Sequence, residues 1–316
     1  MPHMKHDIPP LHDVDIRLLR IFKAVVECRG FSAAEETLGV GRSTISKHVA
    51  DLEARLSIRL CTRGRAGFSV TSHGQVVYEA TIELLDAMDH FRSQISVEKG
   101  RLSGSINLWV MDNTHLEIGN PMAQSLAFFK QRPGSAVLNV NTADPKAVEE
   151  AVINGRANVG VTITNSDIPG LTYRAIGSET TSLYAAAVHS VNSLVTEKRI
   201  EDSDLAKLDF VTRGYLRSEP TLRGRHWRST GIAFHVEANL QLVLSGQYLG
   251  ILPDHIAAPW VQRGLLFRLP VPEAQSTSTI FAVFRTKSKS LPLVKSMVED
   301  IANAYRQAGT VTLTLS

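Results

Sequence analysis

The chain has 316 residues, more than one domain usually contains, so two or more compact units are predicted. Hydrophobic residues make up 43% and charged residues 21%, which is typical of globular proteins and argues against a disordered chain or a membrane protein. The apolar stretches are too short to cross a bilayer, the first ten residues lack a signal core, and only Cys28 and Cys61 are present, so we expect a cytoplasmic protein.

The net charge of +3 is concentrated at the N-terminal end. The first 75 residues contain 11 Lys and Arg against 8 Asp and Glu, whereas the remaining residues contain 23 of each kind. No carboxylate lies between Glu53 and Glu79, where there are four arginines: Arg55, Arg59, Arg63 and Arg65. Such a local positive field attracts a polyanion, although a solvated charged face would give the same pattern.

Residues 1–13 are expected to form a flexible tail, and residues 14–71 are predicted to form a winged helix-turn-helix. Hydrophobic spacing predicts a helix that begins at Asp15 and a third helix over residues 42–56. Between them, Ser32 and Glu35 predict a capping box at the start of a short second helix, so the helix-turn-helix covers residues 31–50. A glycine-containing basic hairpin over residues 63–68 forms the wing.

This arrangement predicts a DNA-binding surface. The N-terminal residues of the third helix would enter the major groove, and the wing arginines would meet phosphate or the adjacent minor groove. The side chains predicted to contact DNA are Ser32, Arg42, Ser43, Thr44, Ser46, Lys47, Arg63 and Arg65.

Five short motifs in this segment match a known pattern: residues 18–22 (LLRIF), 31–38 (FSAAEETL), 43–53 (STISKHVADLE), 60–63 (LCTR) and 70–74 (VTSHG). Together they resemble the DNA-binding end of LysR-type transcriptional regulators. Gly41 stands where the family usually has a serine cap, Arg42 replaces a common glutamine, and Cys61 replaces the usual phenylalanine. The resemblance implies a regulator that binds double-stranded promoter or operator DNA and works with RNA polymerase.

Residues 72–99 predict a linker helix for dimerisation. Side chains spaced alternately four and three residues apart form a heptad seam, which implies a partner helix, although the face could instead pack on its own domain. The family resemblance favours pairing and implies a homodimer or homotetramer. The predicted interface residues are Val77, Leu84, Met88, Phe91 and Ile95.

From residue 102 onwards, strands alternate with helices, which predicts parallel α/β layers. We expect an effector region of two doubly wound α/β subdomains that resembles periplasmic binding proteins. Residues 102–177 and 277–308 would form the first subdomain and residues 178–276 the second, with a cleft between them. Residues 127–133, 154–161 and 246–253 also look like the effector-binding region of the LysR family, in pattern more than in exact residues.

Ligands of such sheets bind beyond the carboxyl ends of strands, where helix N-termini favour anions. We therefore predict a small-molecule effector that is anionic or aromatic, with Arg213 opposite an anionic group. The predicted lining residues are Asn113, Thr114, Thr164, Thr212, Arg213 and Asn239. Each of these could equally be a loop cap or a surface side chain. Three tryptophans favour an aromatic ligand, although packing in a core is their commoner role: Trp109, Trp227 and Trp260.

The sequence offers little support for an enzyme, a metal or a cofactor. Gly39-Val40-Gly41 begins like a dinucleotide fingerprint, but Thr44 stands where the third glycine belongs. Neither a His-Glu-x-x-His motif nor a Cys-x-x-Cys pair occurs, so no metal site is expected. Cys28 and Cys61 could form a redox switch, but inert buried thiols are favoured.

Two function classes remain open at this point. In the first, the protein is a ligand-controlled transcription regulator. In the second, the α/β part is an enzyme or a solute-binding module, and the N-terminal helices serve only for assembly. Salt-dependent binding to DNA separates the two, because phosphate contacts weaken as salt rises.

Overall fold

The computed structural model describes residues 10–64, 67–98, 102–112, 114, 119–196, 202–214 and 227–309. The chain divides into two compact units, Met1–Arg92 and Ser93–Ser316, and each has its own apolar core. Within the ranges given above, no helix is both long enough and apolar enough to cross a membrane.

The first unit is a winged helix-turn-helix with a long helix after it, as predicted. Its elements are α1 (Asp13–Glu27), α2 (Ala34–Leu38), α3 (Arg42–Leu56), β1 (Cys61–Gly64), β2 (Gly67–Val70) and α4 (Ser72–Glu98), whose last residues, from Ser93, belong to the second unit. Strands β1 and β2 form an antiparallel hairpin, which is the wing. The tip of the wing, residues 65–66, lies outside the described residues.

Helix α3 is held by its apolar stripe. Ile45, Val49 and Leu52 are spaced four and three residues apart, so they share one helix face, and all three are fully buried in the core of the first unit. Burying each such side chain contributes about 1.5–3 kcal/mol. The burial of this stripe forces the opposite face of α3 towards solvent.

Polar groups join α3 to the wing. One carboxylate oxygen of Glu53 accepts hydrogen bonds from the backbone amides of Leu60 (2.7 Å) and Cys61 (3.1 Å). At the start of α4, a Cβ on Gly74 would lie 2.1 Å from the carbonyl oxygen of Leu60, so only glycine fits at this position. The first turn of α4 therefore packs closely against the backbone of Leu60, the residue before β1.

The predicted capping box at Ser32 is wrong. Helix α2 begins at Ala34, its cap residue is Ala33, and no side chain caps it. Ala33 has helical backbone angles, whereas a capping side chain needs an extended residue at that position. The chain reaches α2 through a backbone turn instead, in which the amide of Glu35 donates to the carbonyl of Ser32 at 3.2 Å.

The second unit is a mixed α/β fold around one large sheet. Its strands are β3 (Ser105–Met111), β4 (Val137–Ala143), β5 (Val159–Thr162), β6 (Leu171–Ala186), β7 (Asp209–Arg213), β8 (Arg228–Ala233), β9 (Leu249–Pro253), β10 (Leu266–Arg268) and β11 (Ser276–Arg285). Its helices are α5 (Pro121–Gln131), α6 (Pro145–Ile153), α7 (Val191–Thr196), α8 (Asp202–Leu205), α9 (Val236–Leu244), α10 (Asp254–Gln262) and α11 (Pro292–Gly309).

Two long strands cross the middle of this sheet. The order is β4-β3-β5-β11-β6-β9-β7-β8, with β10 paired to β6. Strand β3 is parallel to β4 and β5, and β7 is parallel to β8 and β9. Strand β6 is antiparallel to β9, β10 and β11, and β11 is antiparallel to β5. The α/β class is confirmed. The predicted parallel pairing occurs only within two groups of strands, β4-β3-β5 on one side of the β11-β6 pair and β9-β7-β8 on the other.

We expect Gly74→Ala to destabilise the first unit by about 1–3 kcal/mol, because the new methyl group would overlap backbone that cannot move away cheaply. Gly30→Ala is the matched control, since nothing lies within 4 Å of a Cβ at Gly30. Hydrogen exchange of α3 and wing peptides in the full chain measures the effect. Equal exchange rates in the two variants would contradict this interpretation of the close contact.

Candidate functional site

The exposed face of α3 carries the side chains that were predicted to bind DNA. Arg42, Ser43, Thr44 and Lys47 are exposed, and Ser46 is half-buried. The helix starts with Gly41 as an uncapped N-cap, and its first turn has no acidic residue. The positive end of the helix dipole therefore adds to the two cationic side chains, so the surface favours an anion.

The other predicted DNA contacts lie beside this helix or outside the described residues. Ser32 is exposed in the turn before α2. The backbone of Arg63 pairs with that of Phe68 in the wing. The Arg63 side chain and the whole of Arg65 lie outside the described part of the chain. The wing itself packs on the core through an edge-to-face contact between Phe31 and Phe68, with ring centres 5.6 Å apart.

One arginine of the predicted basic field has a structural partner. The guanidinium of Arg55 donates two hydrogen bonds to Asp15, and the one from Nη2 to Oδ2 is 2.9 Å long. This interaction joins α3 to α1, and hydrogen bonding by Arg55 holds the pKa of Asp15 below its ordinary value. Arg55 therefore contributes to the fold of the helix-turn-helix, and the basic field depends on the other cations.

The predicted dimer seam of α4 has two different environments. Val77 and Leu84 are half-buried against the core of the first unit, as the alternative interpretation of this seam proposed. Met88 is half-buried, whereas Phe91 is 66% exposed and Ile95 is 46% exposed. The N-terminal half of α4 thus packs on its own unit, while the last turns present large apolar side chains to solvent.

The second unit brings together charged side chains from distant parts of the chain. Asp112, at the end of β3, is buried and accepts a 2.6 Å hydrogen bond from the amide of Val236 at the start of α9. The Nδ1 atom of His235 lies 3.7 Å from the same carboxylate. Burial raises the pKa of Asp112. Asp112 therefore fixes the N-terminus of α9 to the end of β3.

Glu179 lies within the crossing strand β6 and is only 9% exposed. Burial raises its pKa to about 7, and the negative charges of Asp112 and Asp254 add to the effect, while Arg213 opposes it. Asp254 is the first residue of α10 and accepts a 3.0 Å hydrogen bond from the hydroxyl of Tyr184. Three carboxylates and one guanidinium therefore share an electrostatic neighbourhood.

Glu179 opens onto a cavity of about 610 Å³. Its wall is formed by the middle of β6 and by the ends of three helices, and its polar members are Ser178, Glu179, Thr180, Asp254, His255, Tyr305 and Arg306. The volume lies within the usual range for small-molecule sites. The second unit thus contains a ligand-sized space whose wall includes the buried Glu179 and the half-buried Asp254.

Three of the six predicted effector residues form hydrogen bonds within the scaffold. The hydroxyl of Thr164 bonds to Thr162 (2.8 Å) and to the carbonyl of Pro145 (3.2 Å). That of Thr212 donates to Gly231 at 3.2 Å. The side-chain amide of Asn239, in the first turn of α9, donates to the carbonyl of Ile251 at 3.0 Å.

The remaining predicted positions are Thr114, which is buried, Arg213, which is half-buried near Glu179, and Asn113, which lies outside the described residues. The three tryptophans are partly buried against core clusters. Sequence reasoning missed Glu179 and Asp254. Asp254 directly follows β9 and could have been found by the rule used for other strands, whereas Glu179 lies inside a strand and has no local signal.

The cysteines differ from each other. Both are free thiols; Cys61 is buried, as expected, but Cys28 is only partly buried and lies 3.4 Å from the hydroxyl of Thr37.

Comparison with known proteins identifies both units. Residues 16–75 match the family model described as bacterial regulatory helix-turn-helix protein, lysR family. Residues 100–306 match the family model described as LysR substrate binding domain. The transcriptional activator BauR of Pseudomonas aeruginosa is 38% identical over 255 residues, which cover 80% of this chain and 83% of BauR.

Two solved structures share the fold. Full-length CbnR complexed with its target DNA has a TM-score of 0.55 and 19% sequence identity. The match covers 92% of this chain and 99% of the CbnR chain. LysG from Corynebacterium glutamicum with bound effector arginine has a TM-score of 0.55 at 20% identity, and 91% of this chain and 98% of LysG are covered.

The relatives are named as transcription regulators and not as enzymes, so the alternative of an enzyme with an assembly domain is set aside. Because the two family matches together cover most of the sequence, the chain belongs to the LysR family of bacterial transcriptional regulators, with a DNA-binding helix-turn-helix and a substrate-binding domain.

Proposed function

We propose that this regulator reads operator DNA with the N-terminal half of α3 and that a small molecule bound in the second unit controls the outcome. The observation that carries the DNA assignment is the exposed N-terminal half of α3. Arg42 is exposed at the first position of the helix, and Lys47 is exposed on the side away from the buried Ile45 and Val49. CbnR, which shares the fold, was solved with its target DNA, and this supports assigning DNA to the first unit.

The ligand assignment is supported by the cavity next to Glu179 and by the fold shared with LysG, which was solved with arginine. In our proposal, residues 102–177 and 277–308 form one subdomain and residues 178–276 the other. Strands β6 and β11 join the two halves, so a ligand at the middle of β6 is placed where it can shift one half against the other. A ligand that prefers one arrangement changes DNA binding through that shift.

Assembly is the third part of the proposal. Two copies would pair through the C-terminal turns of α4, because Phe91 and Ile95 are large, apolar and exposed. A pair of α3 helices then matches the two halves of a palindromic operator. We further propose a homotetramer built from such pairs, contact with RNA polymerase at the promoter, and action in the cytoplasm, where the DNA is.

The DNA probes are operator duplexes selected from a random pool. Arg42→Ala and Lys47→Ala should each weaken binding to them by about 5- to 100-fold, because each variant loses one base or phosphate contact. Lys23→Ala removes one positive charge from α1, where Lys23 pairs with Glu27 at 2.8 Å, and is the matched control. Fluorescence anisotropy across a salt series measures the affinity. Lys47→Ala should also reduce the salt slope, by about one unit if its contact is to phosphate. Wild-type affinity in both α3 variants would contradict the groove assignment.

Replacing Phe91 and Ile95 together by aspartate should reduce the size of the assembly in sedimentation velocity, because two charges would be buried in the apolar seam. Val76→Asp is the control, since Val76 is also on α4 and 65% exposed but lies one residue away from the seam. An unchanged assembly in the double variant, or a monomeric wild-type chain, would contradict pairing through these turns.

A further inference from the structure

We infer that the cavity beside Glu179 binds the protonated amine of a small organic ligand, so that the effector of this regulator carries an ammonium group. The inference rests on the proposed function, because it names the class of molecule that the second unit senses. It differs from the expectation drawn from the sequence, which was an anionic or aromatic effector opposite Arg213.

The first observation is that the buried carboxylate of Glu179 lacks a hydrogen-bond donor among the described residues. Buried carboxylates normally have one, since an unsatisfied buried acceptor is costly. Glu149, in the same unit, shows the ordinary case: it is 1% exposed and accepts bonds from the Ser166 amide (3.0 Å), the Ser166 hydroxyl (2.7 Å) and the Tyr173 hydroxyl (2.7 Å). Glu179 is nearly as buried, but it lines the cavity and accepts no hydrogen bond from the described residues.

The second observation is the balance of charge around Glu179. Asp112 from β3 and Asp254 from α10 raise the energy of its ionised form, and Arg213 from β7 is the cation that opposes them. Three acidic groups against one guanidinium leave a net negative site. His255 and the exposed Arg306 also line the wall, and with the Arg306 guanidinium counted the three acidic groups still outnumber two guanidinium groups. A cation in the cavity would compensate the excess negative charge, and an anion would increase the repulsion.

The third observation separates an organic cation from a metal ion. Within the described part of the chain, no three Asp, Glu, His or Cys side chains are close enough together to hold a metal ion. Of the three acidic groups, Glu179 and Asp254 line a space of about 610 Å³, which suits a molecule of several atoms. An ammonium group supplies three N–H donors and one positive charge, which are what the free carboxylate of Glu179 lacks.

The raised pKa of Glu179, about 7, adds a consequence for pH. An ammonium ion binds the ionised carboxylate, and Glu179 takes up a proton as the pH falls through 7. Binding should therefore be strongest above pH 7, weaken as the pH falls below 7, and release a proton from Glu179 at neutral or lower pH. The other charged or titratable groups near Glu179 are Asp112, Arg213 and Asp254, and the cavity wall also contains His255, Tyr305 and Arg306.

The test uses the full chain and matched probes that differ in one charged group: butylamine against butanoate, benzylamine against benzoate, and 4-aminobutanoate, which has both groups. Thermal shift and calorimetry measure binding at pH 8. We expect stabilisation by at least one amine-bearing probe and none by butanoate or benzoate. The affinity of the bound amine should fall between pH 8 and pH 6.

Glu179→Gln keeps the shape of the side chain and removes its charge, so we expect it to weaken amine binding by about 30-fold or more and to abolish the pH dependence. Glu149→Gln is the matched control, because it removes an equally buried carboxylate that already has its donors; amine binding should stay within about twofold of wild type. Circular dichroism and the melting temperature without ligand show whether each variant is folded.

Binding of butanoate or benzoate without any amine, failure of all the amines, or equal amine affinity in Glu179→Gln and wild type would each overturn the inference. Binding by 4-aminobutanoate alone would support it, with the carboxylate as a second required group. The same protein preparations are tested on the selected operator DNA. If the wild-type chain binds an amine but no specific DNA, the result would count against the proposed function. If it binds specific DNA but no amine, the result would count against this inference only.

Discussion

The burial of one face of α3 is the constraint on which the proposed DNA-binding surface depends. Ile45, Val49 and Leu52 occupy the core of the first unit, so the helix cannot rotate without exposing apolar surface to water. This burial directs Lys47 outward, while Arg42 is exposed because it is the first residue of the helix. Two polar contacts hold the same helix in place, since Glu53 bonds to the start of the wing and Arg55 bonds to Asp15 on α1. Charges in one short segment thus divide into those that build the domain and those left free for a partner.

The second unit uses buried carboxylates in three different ways. Glu149 receives all its hydrogen bonds from neighbouring protein groups and fastens the loop after β5. Asp112 accepts the first amide of α9 and so connects two parts of the chain that are 124 residues apart in sequence. Glu179 is influenced by the charges of Asp112, Asp254 and Arg213 but has no hydrogen-bond donor among the described residues, and it lines a cavity. The same chemical group therefore serves as a loop anchor, a helix cap and a candidate ligand contact, according to what surrounds it.

The long strands β6 and β11 explain why this unit has both a continuous sheet and a ligand-sized space. Strand β6 belongs to both halves of the sheet, since it pairs with β11 along most of its length and then with β9 and β10, while β11 connects β6 to β5. A cavity against the middle of β6 lies where the two halves share their backbone. Small movements there change the geometry of both halves, which is the mechanical basis of the proposed effector response.

The sequence by itself determined the winged helix-turn-helix, the long α4, the α/β class of the second unit and the outward face of α3, because these follow from local hydrophobic periodicity and from glycine positions. It did not determine the cap of α2, the antiparallel crossing strands, the partner of Arg55, or the carboxylate cluster at Glu179. Those features depend on contacts between residues far apart in the chain. Asp112, Glu179 and Asp254 become neighbours only when β3, β6 and α10 are packed together, and burial then changes what each carboxylate can do.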